Sequence, residues 1–320
     1  MNVGGGATNR EPQGPSGGLR WKRNWRRYAL HYLARFDPFR NPWLAGGTPF
    51  EISQLQTHPR ARNQAIIRSL CRNAFLGNAT SLCSVLGRYK MFVDSEDVGL
   101  SAHLLIDGYW EMWVTEAMAQ LIKPGMVVAD VGANLGYFTL LMGDLVGHKG
   151  WVHAFEPNPA IAELLRRSVN VNSGQPRTTV HEVGLSDQEG EATLSVPHRE
   201  PKNATFAARH EGGAEITAQL RRLDSFADLY NLDFIKIDVE GHEEATWRGM
   251  DGLLKQGRPL TILLEFAADR YQDPGGFVDL MLSSGFSLSL LAHDHRLVAL
   301  DKQSLLALAG DQDQMLLLRR

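Results

Sequence analysis

The sequence predicts an α/β protein: a mostly parallel sheet with helices on both faces, preceded by a helical extension. Two observations carry this. From Val127 onward, short runs rich in Val, Ile, Leu and Phe alternate with helical stretches, as expected of strands buried on both faces and joined by crossover helices. The first run, VVADVGANLGYFTLLMG (Val127–Gly143), passes through a glycine-punctuated turn into an apolar helix, a form that usually holds a nucleotide-like ligand. Hydrophobic residues make up 43% and charged residues 22% of the 320 positions, the balance of an ordinary globular protein. A net charge of −3 supplies no global pull towards nucleic acid or anionic membrane.

Taken in order, residues 1–19 are rich in Gly, Pro, Ser and Asn and are expected to be a disordered tail. The stretch RWKRNWRRYALHYLARF interleaves arginines with aromatic residues over positions 20–36. It suits either a helix packed on the domain with a solvated basic side or a peripheral contact with an anionic membrane or acidic partner. A helical region follows over roughly Pro49 to Leu70, then a short strand, Tyr89–Val93. Trp110, Trp113, Val114, Ala117, Met118, Leu121 and Ile122 form one stripe of an amphipathic helix, stopped by Pro124-Gly125. Strands are expected at Val127–Asp130, Trp151–Phe155, Thr178–Val183, Phe234–Val239, Leu260–Phe266, Phe286–Leu291 and Gln314–Leu318. Between them fall helices at Phe138–Leu145, after the Asn158-Pro159 cap, at Glu244–Leu254 and at Phe277–Ser283. Ser304–Ala309 is too short for a full crossover helix, so the last strand is expected to run antiparallel. Short extra strands at Ala192–Val196 and Glu215–Leu220 flank a polar loop. Cys71 and Cys83 match no zinc or redox spacing and are expected as free thiols in a reducing cytosol. The N-terminus lacks the apolar core of a secretory signal and no apolar run is long enough to span a bilayer. A cytoplasmic location is expected, with the N-terminal arm as a contact for the inner membrane face.

Ligands of open α/β sheets bind outside the carboxyl ends of the strands. A dinucleotide site needs G-x-G-x-x-G there, but counting from Gly132 this chain has Asn134 and Tyr137 in the other two places. No Lys-Ser/Thr follows for a phosphate loop. An acid-x-Gly-x-x-x-Gly turn suits a ligand with a ribose and an amino-acid moiety but no phosphate. Asp130 would sit near its ammonium, and Glu156, ending the neighbouring strand, offers two oxygens to a vicinal diol. These requirements describe S-adenosylmethionine.

DVGANLGYFTL, FEPNP, LSDQEG, FIKIDVEGHE and the preceding GYWE and KPGM together resemble the FkbM family of S-adenosylmethionine-dependent methyltransferases, over roughly residues 101–320. The resemblance implies the class I methyltransferase fold, Rossmann-like, with a seven-stranded sheet whose last strand is antiparallel. The extension, 20–100, matches nothing comparable. It further implies cofactor contacts from Asp130, Gly132, Asn134, Gly136 and Tyr137 at the methionine end. Glu156 would hold the ribose, Pro157 and Asn158 would line the adenosine, and Ser186 and Asp187 the adenine. Ser186-Asp187 is equally readable as a plain turn, and Glu111 as a cofactor contact or an exposed helix-start carboxylate. Family members methylate hydroxyl groups of macrolides and sugars.

Chemistry is expected after the fourth strand. Lys236, Asp238 and Glu240 alternate along an extended segment and would share one face, with His242, Glu243 and Glu265 able to converge there. An alcohol needs help to lose its proton, so Asp238, Glu240 or His242 is the expected base. Mg²⁺ at Asp238, Glu240 and Glu265 is the alternative, though no spacing is a metal motif. The loop Pro197–Gly213 reads as a substrate lid, with Asn203, Thr205, Arg209 and His210 facing a polyhydroxylated acceptor: a saccharide, glycolipid or polyketide-like metabolite. A nucleic-acid or protein methyltransferase, or a non-catalytic cofactor-binding protein, are the competing readings. Base-methylating enzymes carry Asn/Asp-Pro-Pro-aromatic where this chain has Asp238-Val-Glu-Gly, which disfavours nucleic acid as a partner.

Overall fold

A computed structural model of the chain describes residues 50–172, 177–294, 296–308 and 313–320. The predicted tail and the basic aromatic stretch 20–36 lie outside the described residues.

The helical region before residue 70 divides at Pro59 into α1 (Gln54–Thr57) and α2 (Arg60–Leu70), because Pro59 is extended, with ψ 140°. The predicted strand at Tyr89 has two partners that the sequence reading lacked: β1 (Asn73–Gly77), β2 (Thr80–Val85) and β3 (Tyr89–Asp94) form an antiparallel meander. Next come α3 (Leu100–Ile106) and α4 (Met112–Leu121). Trp110 lies outside α4, because Glu111 takes a left-handed conformation at its start. Then follow β4 (Val127–Val131), α5 (Tyr137–Val146), β5 (Trp151–Phe155), α6 (Pro159–Val171), β6 (Arg177–His181), β7 (Gly184–Leu185), β8 (Gly190–Val196), β9 (Ala214–Arg221) and β10 (Phe234–Ile237). The helix expected over Glu244–Leu254 is two short ones, α7 (Glu243–Arg248) and α8 (Asp251–Lys255). Between them Gly249 passes so close to the β7 end that a Cβ there would sit 2.0 Å from the Ser186 carbonyl oxygen. The chain closes with β11 (Thr261–Phe266), α9 (Pro274–Ser283), β12 (Ser287–Leu291), β13 (Leu297–Leu300), α10 (Lys302–Leu308) and β14 (Gln314–Arg319).

The main sheet has the order β13-β12-β14-β11-β10-β4-β5-β6. β6, β5, β4, β10 and β11 are parallel, and β14 inserts antiparallel between β11 and β12. This is the class I methyltransferase arrangement, with all seven predicted strands present. The unforeseen addition is β13, hairpinned onto the outer edge of β12. β7, β9 and β8 form a separate small sheet carrying the predicted polar loop.

Period-two alternation assigns side chains to the two faces. Val128, Phe234, Leu263, Met315 and Leu317 join one core cluster, with α4 and α5. Ala129, Val131, Ile235, Ile237, Ile262, Leu264, Leu316 and Leu318 join the other. By the same parity Asp130, Lys236 and Glu265 belong to the first face, and the register sets Lys236 beside both Asp130 and Leu263. The charged residues therefore share a face because of strand parity, which is readable locally, and register, which the sheet decides.

Candidate active site

Two adjoining cavities open at the carboxyl ends of β4, β5, β10 and β11. The wide one, about 700 Å³, includes Glu111, Tyr137, Lys236, Asp238, Glu240, Glu265 and Arg270 in its lining. The narrow one, about 50 Å³, includes Phe155, Glu156, Pro157, Leu185 and His242. Gly132, Asn134, Lys202, Asp238 and Glu240 line both and so mark the join.

The glycine turn builds the join. Gly132 has φ +79°, and a Cβ there would stand 1.8 Å from the Asp238 carbonyl oxygen, so only glycine lets these two loops meet. Glu156 ends β5, and each of its oxygens accepts one backbone N–H: Asn134 N at 2.9 Å and Asn158 N at 2.9 Å. Burial pushes this carboxyl up to about 7 despite those bonds. The Glu156 carboxyl stands in a narrow cleft flanked by Phe155, Val183 and Leu185.

Asp130 lines neither cavity. It is wholly buried and takes a hydrogen bond from Thr139 Oγ1 at 2.6 Å, while its Oδ1 has no partner among the described residues. Gly136 also lines neither: its φ is +93°, and a Cβ added there would come to 2.2 Å of Leu165, so its close approach serves the packing of α5 on α6. Asn158 caps α6, accepting from Ala160 N at 3.1 Å, and is absent from both linings. Ser186 is buried and Asp187 exposed, and neither reaches a cavity. Tyr137 lines the wide cavity while its hydroxyl sits 3.1 Å from Thr115 Oγ1.

The acidic cluster does converge, though not as an extended strand. β10 stops at Ile237, and left-handed Glu240 (φ +54°) and Gly241 (φ +95°) turn the chain so that Asp238 and Glu240 lie in the loop. Carboxylate oxygens of Asp238, Glu240 and Glu265 lie within 4.8 Å of one another. Lys236, almost fully buried, donates to Asp238 Oδ2 at 2.7 Å and lies 4.9 Å over the Phe138 ring. Burial opposes its charge, but Asp238 and Asp130 outweigh burial and hold it protonated. Arg270 bridges Glu240 at 3.0 Å, Glu265 at 2.9 Å and Asp313 at 3.1 Å. Burial, with Asp238 beside it, pushes Glu240 up to about 7, and burial followed by Asp238 and Glu240 raises Glu265 as well.

His242 does not join this cluster. It lines only the narrow cavity, with Nε2 3.1 Å from Ser186 Oγ, and burial lowers its pKa. Of the loop residues, Asn203, Thr205 and His210 line the wide cavity. Thr205 Oγ1 donates to the Glu240 carbonyl at 2.6 Å, which ties loop to cluster. Arg209 points away, paired at 2.9 Å with Glu215. Arg270 and Lys202 were missed by the sequence reading. Arg270 follows β11 by four positions, so the rule of collecting residues after each strand would have found it; Lys202 adjoins Asn203 and carries no separate signal.

Residues 130–288 match the model of the methyltransferase FkbM domain. The chain is 29% identical over 190 residues to the AMB antimetabolite synthetase AmbE of Pseudomonas aeruginosa, covering 45% of this chain and 9% of that protein. It is 27% identical over 174 residues to the hexuronic acid methyltransferase AglP of Haloferax volcanii, covering 50% of this chain and 69% of that one. The crystal structure of TYW2 from P. horikoshii in complex with MeSAdo aligns over 77% of this chain and 72% of its own, at 12% identity and a TM-score of 0.43. This chain thus spans only a small part of AmbE, and no described helix is long and apolar enough to cross a membrane.

Proposed function

The chain belongs to the FkbM methyltransferases and is an S-adenosylmethionine-dependent enzyme, and on that premise we propose that it methylates a hydroxyl of a saccharide or a related polyhydroxylated metabolite. The observation that carries this reading is the join of the two cavities. The narrow one, ending in a fixed carboxylate, adjoins a charged one large enough for an acceptor. The similarity to a hexuronic acid methyltransferase supports a sugar-like acceptor.

In this reading Glu156 holds the ribose hydroxyls, with Gly132, Asn134 and Pro157 around the nucleoside and Glu111 near the amino-acid end. Bound S-adenosylmethionine supplies an electrophilic methyl group on a sulfonium. Glu240 is the base: its carboxyl titrates near neutrality, so it can take the acceptor's proton as the oxygen bonds to the methyl carbon and the carbon–sulfur bond breaks. Asp238, paired with the Lys236 ammonium, stabilises the cationic methyl region. Lys236 and Arg270 pair with the carboxylates of Asp238, Glu240 and Glu265 and offset part of their charge, and the proton transfer to Glu240 requires no Mg²⁺. His242 is assigned to the nucleoside side. Asn203, Thr205 and His210 offer hydrogen bonds to acceptor hydroxyls.

The test is transfer of a labelled methyl group to a panel of neutral sugars, uronic acids and glycolipid extracts, with nucleic acid and protein as further arms. Label in saccharide or glycolipid, removed by mild Glu240→Gln substitution, is the expected result. Label only in nucleic acid or protein would overturn it.

A further inference from the structure

The wide cavity holds more cationic side chains than the chemistry above employs. Lys236 is committed to Asp238 at 2.7 Å, and Arg270 to Glu240, Glu265 and Asp313. Lys202 is different. Its Nζ donates to Asn203 Oδ1 at 2.7 Å, a neutral amide, and among the described residues no carboxylate lies within salt-bridge distance of it.

Its placement is held from several sides. Lys202 sits in the short turn Pro201–Asn203 within the loop between β8 and β9. Val98 N donates to the Arg199 carbonyl at 2.9 Å, Asn203 Nδ2 donates to Glu200 at 3.0 Å, and the Asn203 carbonyl lies 3.0 Å from His210 Nε2. The aliphatic stem runs beside Gly99, where a Cβ would come to 3.1 Å of Lys202 Cε. From there it lines both cavities. Its charge acts on both Glu111 and Glu240.

The proposed donor ends in a zwitterion. Its ammonium has carboxylates to choose from, Glu111 among them. Its carboxylate needs a cation at the point where the nucleoside cleft meets the wide cavity, and the other cavity cations are already paired. Glu111 is held at φ +34°, the kind of strained backbone that persists where a side chain must be aimed. Building on the donor reading above, we infer that Lys202 is the counter-cation of the donor's α-carboxylate, so that Glu111 and Lys202 grip the two charges of its amino-acid end. The loop Pro197–Gly213 is then part of the donor site as well as an acceptor lid.

Calorimetric titration of the full chain with two ligands tests this. S-adenosylhomocysteine carries the amino-acid end, and 5′-methylthioadenosine lacks it. Lys202→Met is expected to weaken S-adenosylhomocysteine roughly 10- to 100-fold, the loss of one charge-assisted contact. Binding of 5′-methylthioadenosine should change by less than about 2-fold, which also reports an intact fold. Lys202→Arg should retain most of the lost affinity. Equal weakening of both ligands would overturn the assignment. So would unchanged S-adenosylhomocysteine affinity with a raised KM for the acceptor, which would give Lys202 to the acceptor instead. If the unaltered protein bound neither ligand, the donor site itself would be misplaced, a failure separate from that of Lys202.

Discussion

Lys236 and Asp238 stand two positions apart, with Nζ 2.7 Å from Oδ2, and both line the wide cavity, the lysine almost fully buried and the carboxylate more open. The pair thus carries charge from the core to the site. Asp130, beside Lys236 in the next strand, adds a second buried carboxylate to the same cation.

Lys236→Met is expected to leave both carboxylates without their cation and to destabilise the fold by about 3–5 kcal/mol, measured by urea unfolding. Asp238→Asn keeps an oxygen for Lys236 and should cost less stability while reducing turnover by about 10²-fold or more. Equal stability losses in the two variants would contradict this division of roles.

Activity should depend on a deprotonated Glu240. Its pKa is raised to about 7, so kcat/KM is expected to climb with pH through that region and level off above it. Glu240→Gln should remove that limb and lower the rate by about 10²- to 10⁴-fold. A pH profile that is flat across neutrality in the unaltered enzyme would argue for another base.

Arg270 opposes the upward shift of Glu240. Arg270→Ala is therefore expected to move the midpoint of the pH–rate profile upward and to lower kcat at neutral pH. A chelator should leave the unaltered enzyme's rate unchanged. Restoration of a chelated enzyme by Mg²⁺ would show that the carboxylates serve an ion.

His153 and His181 lie on neighbouring strands, with Nδ1 and Nε2 3.2 Å apart and their rings stacked. Burial lowers both from 6.5 to about 4. Between those values the unfolded chain binds protons that the folded chain refuses, so stability should fall as pH drops from about 6.5 towards 4, and be unaffected by these groups above 6.5. The slope is at most about 1.4 kcal/mol per pH unit for each histidine. Urea unfolding at pH 7 and pH 4.5 measures it, and a His153→Gln/His181→Gln double variant should flatten the difference.

The strands were legible because each apolar run is a local pattern, and seven of them appear where periodicity put them. The glycine turn and Glu156 were legible because a strand end followed by a turn is also local. Of the missed meander strands, β1 is exposed along most of its length and carries no burial rhythm to read, whereas β2 does alternate and was overlooked. The cap at Asn158 was legible as well, announced by its own Asn-Pro sequence.

The sequence by itself determined the parity that sets Asp130, Lys236 and Glu265 on one face, because side-chain direction along a strand follows from counting. It also determined the turn that rejects a dinucleotide. Only the tertiary structure decided which charges meet. Left-handed Glu240 and Gly241 bend the loop back, Arg270 arrives from beyond β11, Lys202 from the β8–β9 loop, and His242 is turned into the narrow cleft. These encounters depend on turns and crossovers between elements distant in the chain, and no local periodicity encodes them.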